Sequence, residues 1–174
     1  RFGSNIKELQ TLPNPYHRKV RKSLVLTKTK TVFYCNILKE ELIAASGCTE
    51  PIAIAYAAAV AKTELGVFPE HIQVQASGNL IKNAMGVVIP TSGGMKGISA
   101  AAILGALSGR ADLKLEVLST LTADDIKRAK KLAQSSDFSE ISFLESDNPL
   151  HVIIALSHKE DTVTVEILQN HTNV

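Results

Sequence analysis

Apolar residues run without interruption from Ile52 to Ala61, and helix signals stand just ahead of them. Thr49 suits an N-cap, Glu50 complements the positive end of a helix, and Pro51 fits a first turn, where no amide partner is lost. The pattern predicts a helix from Thr49 to about Glu64, apolar on every side and therefore central. Ahead of it, Ile37, Leu38, Leu42 and Ile43 are interleaved with Glu40 and Glu41, which predicts a short amphipathic helix over 37–45, stopped by Ser46-Gly47. His71 to Ala76 alternates with period two and predicts a strand with one buried face, broken by Gly78-Asn79. Gly86 to Pro90 reads as a short buried strand, and Thr91 to Gly97 as a glycine-rich loop. A second alanine-rich helix is expected from Ile98 to Leu107, and a helical turn near Leu113 to Leu118. A further helix opens at Thr122, with Asp124 and Asp125 in its first turn and Lys127, Arg128, Lys130 and Lys131 behind them. The last third turns to strand patterns over 141–144, 152–156 and 162–168. Helices and strands that interleave first, with strands clustering last, predict an α+β fold: a mixed sheet with packed alanine-rich helices.

Composition narrows the class. With 174 residues, 45% hydrophobic and 21% charged, the chain is sized for one packed domain and is neither disordered nor collagenous. Its longest apolar run falls well short of the roughly 20 residues that a membrane-spanning helix needs, so no membrane association is expected. Two cysteines, Cys35 and Cys48, are too few for a disulfide scaffold, and no charged-then-apolar signal opens the chain. Both point to a reducing cytoplasm.

Charge divides the molecule. Residues 1–30 hold eight Lys or Arg against one acid, Glu8, and the rest holds eleven against sixteen, so a basic stretch precedes an acidic body. Pro13, Pro15 and the Arg18 to Lys22 cluster show little periodicity, which predicts a basic, poorly ordered leader over 1–36 and a folded domain over 37–174. Arg1-Phe2-Gly3-Ser4 reads as a tag remnant. Only Tyr16 lies near the cluster for base stacking, so nucleic acid is disfavoured as a partner.

The densest chemical signal is Ser46-Gly47-Cys48-Thr49-Glu50-Pro51, which sets a thiol immediately before the start of a buried helix. A helix start favours negative charge, so Cys48 is expected to have a lowered pKa and to serve as nucleophile or soft-metal ligand; a small cysteine filling a tight turn explains the placement equally well. The Gly93-Gly94-Met95-Lys96-Gly97 loop offers backbone amides and an ammonium to an anion, or simply allows close packing. The Ser77 to Asn83 stretch sets amide and ammonium donors after a strand, in a contact loop or a solvated one. His171-Thr172-Asn173 follows the last strand at an end that ordinarily frays.

Taken together and in this order, Gly47 to Pro51, Asn79-Leu80-Ile81-Lys82-Asn83, the Thr91 to Gly97 loop, Leu104 to Gly109, Leu115 to Leu118 and His171-Thr172-Asn173 resemble the L-cysteine desulfidase and serine dehydratase-like alpha-chain family over about Leu38 to Val174. The resemblance implies a cytoplasmic lyase that uses a [4Fe-4S] cluster to break L-cysteine or L-serine into pyruvate and ammonia, releasing hydrogen sulfide or water. It implies Cys48 as one cluster ligand, Lys82 and His171 as catalytic groups, and Asn79, Asn83, Thr91, Ser92, Thr172 and Asn173 as substrate contacts. Members of the family are much longer, and their remaining cluster cysteines lie in a C-terminal half. One thiolate does not hold a cluster that takes three or four, so the implied ligand set is incomplete in this chain. Cys35 has no counterpart, and Gln169-Asn170 stand where the family has two glycines before its His-Thr-Asn motif. The expectation is the N-terminal portion of a lyase, inactive alone, that takes a small amino acid and partners the C-terminal half or a second subunit, with self-association through the apolar surface left open. The alternative is a non-catalytic scaffold or interaction domain of the same fold.

Overall fold

The computed structural model describes residues 28–41 and 47–174. The chain divides into two units, Arg1–Leu42 and Ile43–Val174. In the first, one helix is described, α1 (Lys28–Glu41), which begins well before the expected 37–45 and takes Lys28 to Thr31 into its opening turn. The Arg18 to Lys22 cluster and the rest of the basic leader lie outside the described residues.

The second unit follows the order α2 (Thr49–Leu65), β1 (His71–Ser77), α3 (Gly78–Met85), α4 (Ile98–Ser108), a 3-10 turn (Ala111–Glu116), α5 (Ala123–Leu132), β2 (Ser139–Leu144), β3 (His151–His158) and β4 (Asp161–Leu168). The strands form one mixed sheet in the order β2-β1-β3-β4, with β1 and β2 parallel and the other pairs antiparallel. The fold is α+β. Register places Val74 beside Ile154 and Ile154 beside Val165, so the alternating residues of three strands share one face. Ile72, Val74, Ala76, Val152, Ile154, Leu156, Val165 and Ile167 are buried on that face beneath α2 and α4. Each large aliphatic side chain so covered stabilises the fold by about 1.5–3 kcal/mol relative to exposure. The other face carries Gln73, Gln75, Ile153, Ala155 and Glu166, half-buried or exposed, so the sheet has one wet side.

α2 and α4 are apolar on all sides because each lies in the middle of this core. They approach to backbone contact: a Cβ built on Gly105 would stand 2.1 Å from the Ala55 carbonyl oxygen, and one on Gly109 would stand 2.8 Å from the Ala59 Cβ. A ridge of Gly105 and Gly109, one helical turn apart, therefore lies in the groove beside Ala55 and Ala59. α5 packs on α4 and starts with a reciprocal cap: Thr122 Oγ1 accepts from the Asp125 amide at 3.2 Å, while Asp125 Oδ2 accepts from the Thr122 amide at 3.0 Å.

Two expected elements are replaced. The stretch 78–85 is a helix rather than a broken strand and loop: Ser77 is its N-cap residue, Gly78 sits at its tolerant first position, and Leu80 and Ala84 bury one side. The 86–90 stretch forms no strand; Val88 makes a single bridge to Lys96, which closes the glycine-rich loop between them. No helix among the described residues is long and apolar enough to cross a membrane.

Candidate functional site

The Gly47 to Pro51 motif turns into α2 with Cys48 as the N-cap residue, one position ahead of the expected Thr49. Gly47 has a φ of +153°, and a Cβ there would meet Pro90 Cγ at 2.6 Å, so only a glycine lets the turn pass the loop that precedes Thr91. The turn aims Cys48 along the helix axis toward the first-turn carboxylate.

Glu50 is the hub of the site. Its Oε2 accepts from the Cys48 thiol at 3.0 Å and from the Thr49 hydroxyl at 3.5 Å, and its Oε1 accepts from the Asn83 side-chain amide at 3.4 Å. The hydrogen bond from Cys48, foremost, holds the Glu50 carboxyl below its ordinary range against the opposing effect of burial, and the nearby His171 imidazole and Asn83 amide add to it. Cys48 and Asn83, far apart in the chain, thus meet through one carboxylate, with His171 near enough for its charge to act on it.

The electrostatics of Cys48 run opposite to the sequence expectation. The helix-start amides of Thr49 and Glu50 do favour its thiolate, yet burial foremost, then the hydrogen bond to Glu50 and the repulsion of its charge, outweigh them and push the thiol pKa up. The proton rests on sulfur, shared with a carboxylate that stays ionised. As it stands, Cys48 is a hydrogen-bonded thiol rather than an activated nucleophile.

The other candidates divide into neighbours and structural groups. Asn79 donates its side-chain amide to the Pro149 carbonyl at 3.3 Å, which the Ser77 hydroxyl also reaches at 2.9 Å. Asn79 and Asn83 stand one turn apart on α3, Asn83 toward Glu50. Lys82, on the same helix, is exposed and makes no ion pair or hydrogen bond among the described residues. The Thr91 hydroxyl is committed to the Leu118 carbonyl at 2.8 Å. Ser92 is fully buried, bonding the Ile89 carbonyl at 2.6 Å and accepting from the Met95 amide at 3.0 Å. Both hold the loop shut. Gly93, in the same loop, has its carbonyl bonded by Lys130 Nζ at 3.3 Å from α5, which makes the loop a packing element more than an anion cradle. The C-terminal motif is ordered: Asn173 donates its amide to the Leu168 carbonyl at 3.0 Å, and its backbone amide bonds Asn170 at 3.0 Å, which turns the chain so that His171 comes within range of Glu50. Thr172 is half-buried beside it.

Glu50 is the residue that sequence reasoning passed over, having assigned it only to the helix dipole. The signal was a carboxylate two residues after a cysteine at a helix start, where both side chains point back over the first turn.

The donor set does not by itself fit an iron-sulfur cluster. Cys48 is a single thiol, and no group of three or more His, Cys, Asp or Glu able to hold a metal occurs among the described residues. A cluster takes three or four thiolates, more than the described residues bring together.

The chain is similar to UPF0597 proteins. That of Lachnoclostridium phytofermentans is 45% identical over 139 residues, 80% of this chain and 33% of the relative. That of Finegoldia magna is 48% identical over 142 residues, 81% of this chain and 34% of the relative. That of Treponema denticola is 43% identical over 150 residues, 86% and 34% respectively. The chain spans about a third of the length of the curated relatives it matches. No family model matches the chain, and no solved structure does.

Proposed function

We propose that the chain is the N-terminal portion of a [4Fe-4S]-dependent lyase that eliminates the β-substituent of L-cysteine or L-serine to leave pyruvate and ammonia, and that it is inactive alone. The observation that carries this reading is the convergence of Cys48, Glu50, Asn83 and His171 from motifs scattered along the chain. Elimination requires a base for the α-proton, an acid for the leaving group and donors for the substrate carboxylate. Glu50, ionised and half-buried, is the base this chain offers. His171, whose charge Glu50 senses, is the acid. Asn83 and Asn79 supply amide donors for the carboxylate. Lys82, turned to solvent, takes no part in the proton transfers.

Cys48 is the ligand this chain contributes, its thiol held at 3.0 Å from Glu50. The remaining thiolates come from the part of the relatives outside the match. A cytoplasmic address belongs to the same proposal, since reduced thiols require a reducing compartment.

The test is pyruvate release from L-cysteine and L-serine after anaerobic treatment with iron and sulfide, with this chain alone and with the remaining portion of the L. phytofermentans relative added. Activity that needs both parts and disappears in Cys48→Ser is the expected result. Silence in both cases overturns the lyase reading and leaves a non-catalytic scaffold.

A further inference from the structure

Strand β2 is an edge with an unfinished core. Register sets Ile141 beside Val74 and Phe143 beside Ala76, so both point to the face that the helices cover elsewhere. Val74 and Ala76 are fully buried, yet Ile141 is 43% exposed and Phe143 67% exposed, because α3 and the start of α4 touch this end of the sheet without covering it. The opposite edge differs: β4 turns Thr162, Thr164 and Glu166 to water and buries Val165 and Ile167. Both edge strands carry polar residues on the wet face, but only β2, Ser139-Glu140-Ile141-Ser142-Phe143-Leu144, leaves large apolar side chains of the helix-covered face open to water.

Ile141 of β2 borders a groove of about 340 Å³, lined also by Ile81 and Met85 of α3, Ile98 and Ser99 at the start of α4, and Lys96. Met85 is 64% exposed at its rim. Helix α3 therefore has two working sides. Asn83 reaches Glu50 on one, and Ile81 and Met85, one turn apart, line the groove on the other.

An apolar strand edge and an apolar groove side by side seldom stay open to water. The relatives supply an occupant, since about two thirds of their length lies outside the matched region and must pack against something. We propose that the α3 groove and the β2 edge form the docking surface for that remaining portion, which adds backbone pairing to β2 and fills the groove with apolar side chains between the exposed Lys82 and Lys96. The proposal rests on the part of the functional reading in which the remaining portion completes the site, and not on the lyase chemistry. Docking there would lay the rest of the protein against the back of the helix that carries Asn83.

Hydrogen exchange tests it on whole proteins. The T. denticola match, 150 of 174 residues, necessarily includes β2. The amides of that strand that face away from β1 should exchange at least tenfold more slowly in the whole relative than their counterparts in Ser139–Leu144 do in this chain, where that side of the strand is unpaired. Equal exchange overturns the proposal. In parallel, the remaining portion of that relative is titrated with this chain. Phe143→Glu and Met85→Glu, both at exposed positions, should weaken binding at least tenfold with unchanged circular dichroism, whereas Thr164→Glu on the opposite edge should not. Unchanged binding by the first two overturns the proposal, as does a dimer of this chain alone that the same substitutions dissolve, which would make a second copy the occupant. Where the separated portion does not fold, the exchange comparison decides. Neither readout involves turnover, so docking without pyruvate release counts against the chemistry alone.

Discussion

Replacing Gly105 with alanine tests whether the α2–α4 contact fixes the core. The added Cβ would lie 2.1 Å from the Ala55 carbonyl oxygen and 2.7 Å from the Ala55 Cα, both backbone atoms that cannot rotate away. Ordinary contact lies near 3.5–4.0 Å, so the helices must part by more than about 1 Å, and a gap of even 0.5–1 Å forfeits a quarter to a half of each dispersion well it opens. Overpacking of this kind costs about 1–3 kcal/mol and more where backbone is the obstacle, against about 1 kcal/mol gained from the better helix propensity of alanine. The net expectation is a loss of about 2 kcal/mol, which for a domain of this size lowers Tm by about 5–10 °C. Gly86→Ala is the control. Gly86 has ordinary helical backbone angles and nothing within 4 Å of a built Cβ, so the change should be neutral or stabilising by up to about 1 kcal/mol. Urea and thermal unfolding followed by circular dichroism, run on both variants, give the answer. Gly105→Ala with the parent's stability, while Gly86→Ala is also unchanged, would refute the close-contact argument.

Glu50→Gln should lower the Cys48 pKa, because the acceptor and the negative charge that favour the thiol are both weakened; alkylation by iodoacetamide as a function of pH should show a midpoint above that of a free thiol in the parent and a downward shift in the variant. Thr122→Ala removes the cap on α5 and should cost about 1 kcal/mol, read from the shift in urea midpoint at unchanged slope. Acid should weaken the fold in a defined way: Glu50 and Asp125 have folded-state pKa values below their ordinary ones, so their stabilisation is present above about pH 4 and is lost as pH falls through the folded values. Asp125→Asn should flatten the lower part of that curve, and a pH series of unfolding midpoints that is identical in the two proteins would remove Asp125 as its source.

Periodicity carried the elements whose faces are sharply distinguished. β1, β3 and β4 alternate because one side of the sheet is wet, and α2 and α4 are apolar all round because both are buried. α3 was legible in principle: Leu80 with Ala84, and Ile81 with Met85, repeat at helical spacing, but Gly78-Asn79 was read as a terminator when it is a beginning. The β-branched run at Val87 to Ile89 has strand propensity and no neighbouring strand to pair with, so tertiary context withheld what local preference favoured. At the site, the motif residues were visible and their grouping was not, since Asn83 reaches Glu50, and His171 comes near enough to act on its charge, only after the sheet has brought the two ends of the domain together. The rise in the Cys48 pKa follows from burial and a neighbouring carboxylate, neither of which the position of a cysteine at a helix start discloses.

The place of α2 in the chain sets a schedule for synthesis. Its contacts are with α4, β3 and β4, all made later, and β4 ends only at Leu168. A helix with no polar side leaves the ribosome roughly a hundred residues before its last cover exists, an interval of about 5–20 s at 5–20 residues per second. Throughout that time the nascent chain carries the surface that chaperones recognise, and slowing of translation within the last two strands would prolong it.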